Sequence, residues 1–124
     1  MVVTDKNHIA ALNFDMISHS GFTYFPKQLD ILWSIEGEID GYEIDPHGVT
    51  GDNNDSIFVA DGKNRRVLEF NKNGHYKRTV LNAETHGVGF VYGVNAMVEA
   101  QSTLLLVLHA QPDQTLVIEH FIIN

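Results

Sequence analysis

Residues 46–81 constrain the fold of this 124-residue chain more than any other segment. The segment contains four short apolar runs, separated by three groups of Asp, Asn and Gly, which are the residues that favour tight turns. The predicted strands are residues 48–51, 56–60, 66–70 and 75–81. The dipeptide Asn73-Gly74, between the last two runs, is the strongest short hairpin signal. The segment therefore predicts a four-stranded antiparallel meander.

The rest of the chain predicts the same class of structure. Helical periodicity is hard to find, and turn residues interrupt the apolar groups about every ten positions, which indicates an all-β protein. The length allows one domain, and 44% hydrophobic residues are enough for a packed core. The chain contains no cysteine, which excludes disulfides and thiolate zinc sites.

Charge and hydropathy limit the expected partners. The chain has 16 acidic residues against 8 Lys and Arg, a formal net charge of -8 that opposes binding to nucleic acid phosphates. The longest apolar run, residues 104–108, is too short to span a membrane, and the first residues do not resemble a signal peptide. We expect a cytoplasmic protein without a membrane partner, unless the sequence is a piece of a longer chain.

The motif residues of the central segment recur in the order of a known repeat. Pro-x-Gly-Val at residues 46–49, Ile-Phe-Val-Ala-Asp at 57–61, Lys-Asn-Arg-Arg-Val at 63–67 and Asn-Gly at 73–74 resemble the NHL repeat, a four-stranded blade of β-propellers. The resemblance implies that Asp61 and either Arg65 or Arg66 belong to the internal polar bonding of the blade. It also assigns structural positions in the blade motif to Gly48, Asn73 and Gly74.

Weaker copies of the pattern flank the central segment, as expected for a repeat protein. Residues 2–5 match residues 58–61 at an offset of 56 (5 to 61), and Gly93-Val94 matches Gly48-Val49 at an offset of 45 (48 to 93). Residues 31–39 are predicted to be hairpin material with a turn at Glu36-Gly37. Residues 103–107 and 115–121 are predicted as strands of the last unit. The expected units are residues 1–45, 46–90 and 91–124, about three four-stranded antiparallel blades in one propeller segment.

An arc of about three blades is half of a common propeller, because propellers close with about four to eight blades. Each end of an open arc presents an apolar sheet face that a neighbouring unit would cover. A second copy of the chain would close a six-bladed ring. We therefore expect a homodimer, or else a fragment of a longer propeller.

Two of the seven histidines, His47 and His86, are each followed by Gly-Val. His47-Gly48-Val49 recurs as His86-Gly87-Val88, 39 positions later (47 to 86), and the inner strands of a propeller line its central channel. A Pro-His-Gly start of a blade is similar to the zinc-binding arrangement of the peptidyl-hydroxyglycine α-amidating lyases, which are NHL-like propellers. That resemblance implies zinc at His47 and His86, with the metal acting as a Lewis acid. The alternative is that both histidines bond backbone groups or water.

Other features separate three function classes. Six of the eight basic residues lie in residues 63–78, interleaved with Phe70 and Tyr76, and resemble the RNA-binding face of some NHL proteins, although strand alternation divides them between two faces. Trp33 suits either an aromatic binding surface or packing between blades. No nucleophile elbow, phosphate loop or dinucleotide fingerprint occurs in the sequence. We expect a non-catalytic scaffold that binds a protein or a small ligand, with a zinc-dependent lyase and an RNA-binding module as alternatives.

Overall fold

The computed structural model describes residues 2–5, 8–19, 23–52, 55–99 and 102–123, and most of them lie in antiparallel β-sheets. The chain is an all-β protein, as predicted. Its first sheet contains β1 (Val2–Asp5), β2 (His8–His19) and β3 (Thr23–Glu36), and a small hairpin contains β4 (Glu38–Ile39) and β5 (Tyr42–Glu43). The second sheet contains β6 (Pro46–Gly51), β7 (Ser56–Asp61), β8 (Arg66–Asn71) and β9 (Tyr76–Asn82). A short helix, α1 (Ala83–His86), leads to the third sheet, which contains β10 (Val91–Glu99), β11 (Ser102–Ala110) and β12 (Leu116–Ile123). Within the described ranges, no helix is long and apolar enough to cross a membrane.

The second sheet is the predicted four-stranded meander, with the strand order β6-β7-β8-β9. The turn between β8 and β9 is built by Asn71 and Gly74. The side-chain oxygen of Asn71 accepts hydrogen bonds from the backbone N–H groups of Asn73 and His75, at 2.8 and 3.0 Å. Gly74 has a φ of +84°, a conformation that costs glycine little because it has no Cβ. The turn signal at Asn73-Gly74 is therefore confirmed.

Strand β7 is buried along its whole length because both faces of the second sheet are covered. Phe58 and Ala60 belong to a buried cluster that they share with Leu105 of the third sheet. The alternate residues of β7 belong to a second buried cluster, which includes Ile9 of the first sheet. Successive residues of a strand point to opposite faces, so a strand covered on both sides reads as one continuous apolar run. The three sheets therefore pack face to face in chain order.

The first strands of the second and third sheets lie side by side. A Cβ on Gly48 would come within 3.3 Å of the Cα of Gly93, so this close approach depends on the absence of a side chain. Two positions further along, Thr50 Oγ1 accepts a hydrogen bond from the backbone N–H of Ala96 at 3.3 Å. On the other side, β1 lies against β6. The sequence match between Gly48 and Gly93 thus corresponds to a direct contact in the structure.

Trp33 connects the first sheet to the second. Its indole Nε1 donates a hydrogen bond to the carbonyl oxygen of Lys72 at 2.8 Å, and its ring covers Gly74, where a Cβ would lie 2.7 Å from the ring. Of the two roles that the sequence allowed for Trp33, the structure shows packing between neighbouring sheets.

Two predictions for local structure outside the second sheet are wrong. His86-Gly87-Val88 does not repeat the β6 strand, because His86 ends helix α1 and Gly87 caps it with a φ of +69°. The side chain of Asn82 accepts a hydrogen bond at the start of this helix, so an Asn cap and a Gly cap override the strand triplet. The hairpin after β3 turns at Asp40-Gly41, where both φ values are positive, and Glu36-Gly37 only links β3 to β4.

The outer units differ from the predicted blades in strand number. The first and third sheets have three strands each within the described residues, against the four strands of a complete blade. The strands predicted at residues 103–107 and 115–121 correspond to β11 and β12, both of which are longer or shifted. The outer sheets, as described, therefore do not have the four strands of a regular propeller blade.

Candidate functional site

Asp61, at the end of β7, is completely buried and organises the loop that leads to β8. Its Oδ2 accepts a hydrogen bond from Arg66 Nε at 2.5 Å. Its Oδ1 accepts from Asn64 Nδ2 at 2.9 Å and from the backbone N–H of Asp45 at 2.7 Å. The Arg66 guanidinium also donates to the carbonyl oxygen of Ile39 at 2.9 Å. Asp61 thus joins the second sheet to the segment that precedes β6.

The two neighbouring arginines have different roles, which the sequence could not separate. Arg66 is the partner of Asp61, because the two residues lie opposite each other in the β7–β8 register. Arg65 has an exposed side chain and a backbone φ of +54°, at the end of the loop. Its backbone N–H donates to the carbonyl oxygen of Gly62 at 3.0 Å.

His47 lies in β6, close to this polar network. Its Nε2 is 3.0 Å from Asp45 Oδ2, which also accepts a hydrogen bond from the backbone N–H of Lys63 at 3.0 Å. The imidazole packs edge-to-face against two aromatic rings, Phe90 with centroids 4.9 Å apart and Tyr92 with centroids 6.4 Å apart. His47 therefore connects a carboxylate on one side to an aromatic pair on the other.

The carboxylate of Asp45 is held in its ionised form. Burial raises its pKa, but hydrogen bonds from the Lys63 backbone and the His47 ring outweigh that effect, and the pKa lies below its ordinary value. An ionised Asp45 can accept from both donors at once, so it fixes the orientation of the His47 ring.

An open cleft of about 760 Å³ begins at these aromatic residues and runs between the second and third sheets. Residues from the β7–β8 loop, from the segment after α1 and from the β11–β12 loop line it, among them Lys63, Arg65, Phe90, Tyr92, Gln111 and Gln114. The described residues that line the cleft include two cations and no Asp or Glu. The charge of this lining is therefore positive, although the whole chain has twice as many acidic as basic residues.

His86, the second candidate zinc ligand, contacts a different set of residues from His47. Its Nδ1 accepts a hydrogen bond from the backbone N–H of Asn82 at 3.1 Å, and its ring packs edge-on against Phe121. Over the described part of the chain, no three His, Asp or Glu side chains come together as a metal site would require. The residues around His47 and His86 therefore do not by themselves fit zinc, and we assign no chemical step to a metal.

Glu69 in β8 is a buried carboxylate that holds two of the basic residues. Its oxygens accept hydrogen bonds from Ser56 Oγ at 2.6 Å, Arg78 Nε at 2.8 Å and Lys77 Nζ at 3.0 Å. Burial raises the pKa of Glu69, but these three hydrogen bonds together lower it below its ordinary value. The carboxylate is therefore ionised at neutral pH, and Lys77 and Arg78 are its counter-ions.

The basic stretch at residues 63–78 does not form one continuous surface. Arg66 is buried against Asp61, and Phe70 is buried in the core between the first two sheets. Lys72 lies on the β8–β9 turn, 3.7 Å from Asp55. With Lys77 and Arg78 paired to Glu69, these contacts do not favour an RNA-binding face.

His109 in β11 is completely buried and is not among the site residues predicted from the sequence. Its Nδ1 accepts a hydrogen bond from the backbone N–H of Gly89 at 3.0 Å, so the ring proton is on Nε2, which lies 2.8 Å from Glu119 Oε1. Gly89 lines the cleft, so this hydrogen bond to His109 holds part of the cleft wall in place. One signal was available in the sequence, because His109 has the same strand parity as the buried residues Leu105 and Val107.

No protein-family model and no curated protein matches this chain. The resemblance to the NHL repeat therefore depends on the motif residues of the second sheet. The function has to be inferred from the site itself, which is a cationic and aromatic cleft at the junction of two stacked sheets.

Proposed function

We propose that this chain is an arc of an NHL-type β-propeller and serves as a scaffold that binds a small anionic ligand in the cleft between its second and third sheets. Three face-to-face sheets in chain order, with adjacent first strands, support the propeller arrangement. One observation carries the ligand class: the described lining of the cleft has two cations and no acid, in a chain of net charge -8.

Arg65 is the residue best suited to bind a carboxylate. Its guanidinium can donate two parallel hydrogen bonds, which match the two oxygens of a carboxylate. A residue other than glycine at a φ of +54° costs about 1–3 kcal/mol, and such strain is concentrated at functional sites. Lys63 lies in the same loop, and Asp45 holds its backbone N–H in place. The loop therefore brings two cations to one side of the cleft.

The aromatic residues beside this loop suit an apolar or aromatic ligand body. Phe90 and Tyr92 pack against each other with ring centroids 4.6 Å apart, and His47 packs edge-to-face against both rings. Gln111 and Gln114 contribute amide groups from the β11–β12 loop. A volume of about 760 Å³ is within the range of small-molecule sites. These groups together fit a small aromatic or aliphatic carboxylate.

We expect the wild-type protein to bind phthalate, and the double variant Lys63→Ala/Arg65→Ala to bind it at least about tenfold more weakly. The reason is that a hydrogen bond to a charged group contributes about 1.5–3 kcal/mol. Isothermal titration calorimetry at low ionic strength measures the effect, and added salt should weaken binding to the wild type.

Lys72→Ala is the matched control, because Lys72 is an exposed cation on a different turn and should leave phthalate binding unchanged. Equal binding by the double variant, or equal binding of the uncharged diamide of phthalate, would contradict the anionic-ligand proposal. Binding of a glutamate-rich peptide but not of phthalate would indicate an acidic protein as the partner instead.

The alternative functions have less support. His47 has the carboxylate partner that commonly orients metal ligands, but two further ligands do not lie beside it among the described residues. A zinc-dependent lyase therefore stays a prediction without a supporting contact. RNA binding is disfavoured by the buried Arg66 and Phe70 and by the pairing of Lys77 and Arg78 with Glu69.

A further inference from the structure

The side of the third sheet that faces away from the second sheet is apolar and exposed. Alternate residues of β11 and β12 point to this side, and they lie opposite one another in the register. Ile118 and Ile122 are 68% and 73% exposed. We call this surface the outer apolar face, and it consists of Met97, Leu104, Leu106, Leu108, Ile118 and Ile122.

The outer apolar face has almost no polar groups. Asn95 and His120 are the polar residues at the centre of this side, and Glu99 and Ser102 have the same strand parity at the end of the β10–β11 hairpin. Contiguous apolar patches of more than a few hundred Å² are rare on monomeric proteins and indicate an interaction site. The face therefore needs a covering partner with an apolar surface of its own.

The strand registers show which face of the second sheet is equivalent to it. Gly48 and Gly93 contact each other and occupy corresponding positions in the first strands of their sheets. Gly48 lies opposite Ala60 in β7, and Gly93 lies opposite Leu108 in β11. Superposing the two sheets on their glycines therefore puts Leu108 at the position of Ala60.

The same superposition matches apolar residues in the half of the face nearest the glycines, whereas Leu104 and Ile122 correspond to the polar residues Ser56 and Asn71 of the second sheet. Leu106 corresponds to Phe58, and Ile118 corresponds to Val67. Phe58, Ala60 and Val67 are buried because the third sheet covers them. This half of the outer apolar face is thus the equivalent of a face that, one sheet earlier in the chain, another sheet of the same protein covers.

From this equivalence we infer that a second copy of this chain covers the outer apolar face with its first sheet. The inference rests on the proposed propeller arc, because in a ring closed by two copies the sheet next to each third sheet is the first sheet of the partner. With two copies related by a two-fold axis, each third sheet contacts the partner's first sheet, and six sheets form a closed ring.

The buried area favours closure by two copies over a single contact. Three strands of eight or nine residues cover about 400 Å², from a strand spacing of about 4.8 Å and a rise of about 3.3 Å per residue. One sheet-to-sheet contact would bury about 800 Å² in total, the size of a crystal-packing contact. The two contacts of a closed ring bury about 1,600 Å², the standard size of a stable protein interface.

Sedimentation velocity tests the inference. We expect the wild type to sediment at micromolar concentration as a dimer, with twice the 13.9 kDa mass of the chain. Ile118→Arg and Ile122→Arg should each weaken the dimer at least a hundredfold and give monomers, because each puts an unpaired charge inside the interface. Thr85→Arg is the matched control, because Thr85 is exposed on α1 and lies outside the outer apolar face.

Three outcomes would overturn the inference: a dispersed wild-type monomer at 100 µM, a dimer that neither isoleucine variant affects, or a mass that grows continuously with concentration. Circular dichroism of each variant verifies that the chain is folded. Phthalate titration of the Ile118→Arg variant separates this inference from the proposed function. A wild-type monomer that binds phthalate overturns the second-copy interface alone, whereas loss of both dimer and binding counts against the propeller arc as well.

Discussion

Replacing Asp61 with Ala should lower the free energy of unfolding by about 3–5 kcal/mol, because the substitution leaves the buried guanidinium of Arg66 without its charge partner. The backbone N–H of Asp45 and the amide of Asn64 lose their acceptor at the same time. Asp61→Asn keeps one acceptor oxygen and should cost less than Asp61→Ala. Urea denaturation, followed by circular dichroism, measures the free energy of unfolding of both variants.

Asp55 provides the matched control for Asp61, because it is also an aspartate in a loop of the second sheet and also lies near a cation. Its side chain is 68% exposed and 3.7 Å from Lys72, and Asn tolerates its φ of +65° as Asp does, so Asp55→Asn should change the free energy of unfolding by about 1 kcal/mol or less. If Asp61→Asn were as mild as Asp55→Asn, Asp61 would not be the centre of the polar network.

Phe58→Ala is expected to destabilise the protein by about 3–5 kcal/mol, the usual cost of truncating a buried aromatic side chain. Phe58 is 1% exposed and lies in the core between the second and third sheets. The cavity left by its ring would loosen the contact between these sheets. We therefore also expect faster proteolysis of the segment between α1 and β10, measured together with urea denaturation.

Tyr76 serves as the control for Phe58, because it is another aromatic residue of the second sheet but is 38% exposed. Tyr76→Ala removes a partly solvated ring, so its cost should be clearly smaller. A similar cost for the two variants would mean that the third sheet does not pack on Phe58 as the structure shows.

The second sheet could be predicted from the sequence because its signals are local. Each turn contains its own Asn, Asp or Gly signal, and strand β7 is a continuous apolar run. The sequence could not show that Asp61 pairs with Arg66 and not with Arg65, because the two arginines are adjacent and differ only in their position relative to β8. Helix α1 could not be predicted from periodicity because it has only four residues, and its signals in the sequence are the caps at Asn82 and Gly87.

The cleft could not be predicted, because it forms only when distant segments meet. Lys63 and Arg65 come from the β7–β8 loop, whereas Gln111 and Gln114 come from the β11–β12 loop. The sequence did single out His47, but as a candidate metal ligand. Its contacts with Asp45, Phe90 and Tyr92 depend on how the second and third sheets pack.

Amide hydrogen exchange tests most directly whether both faces of the second sheet are covered. The slowest-exchanging amides of the chain should lie in β7 and β8, because these strands are paired on both edges and buried on both faces. Amides of β12, at the edge of the third sheet, should exchange faster in the monomeric Ile118→Arg variant. Exchange in β7 as fast as in β12 would contradict the stacking of three sheets on which the proposed function depends.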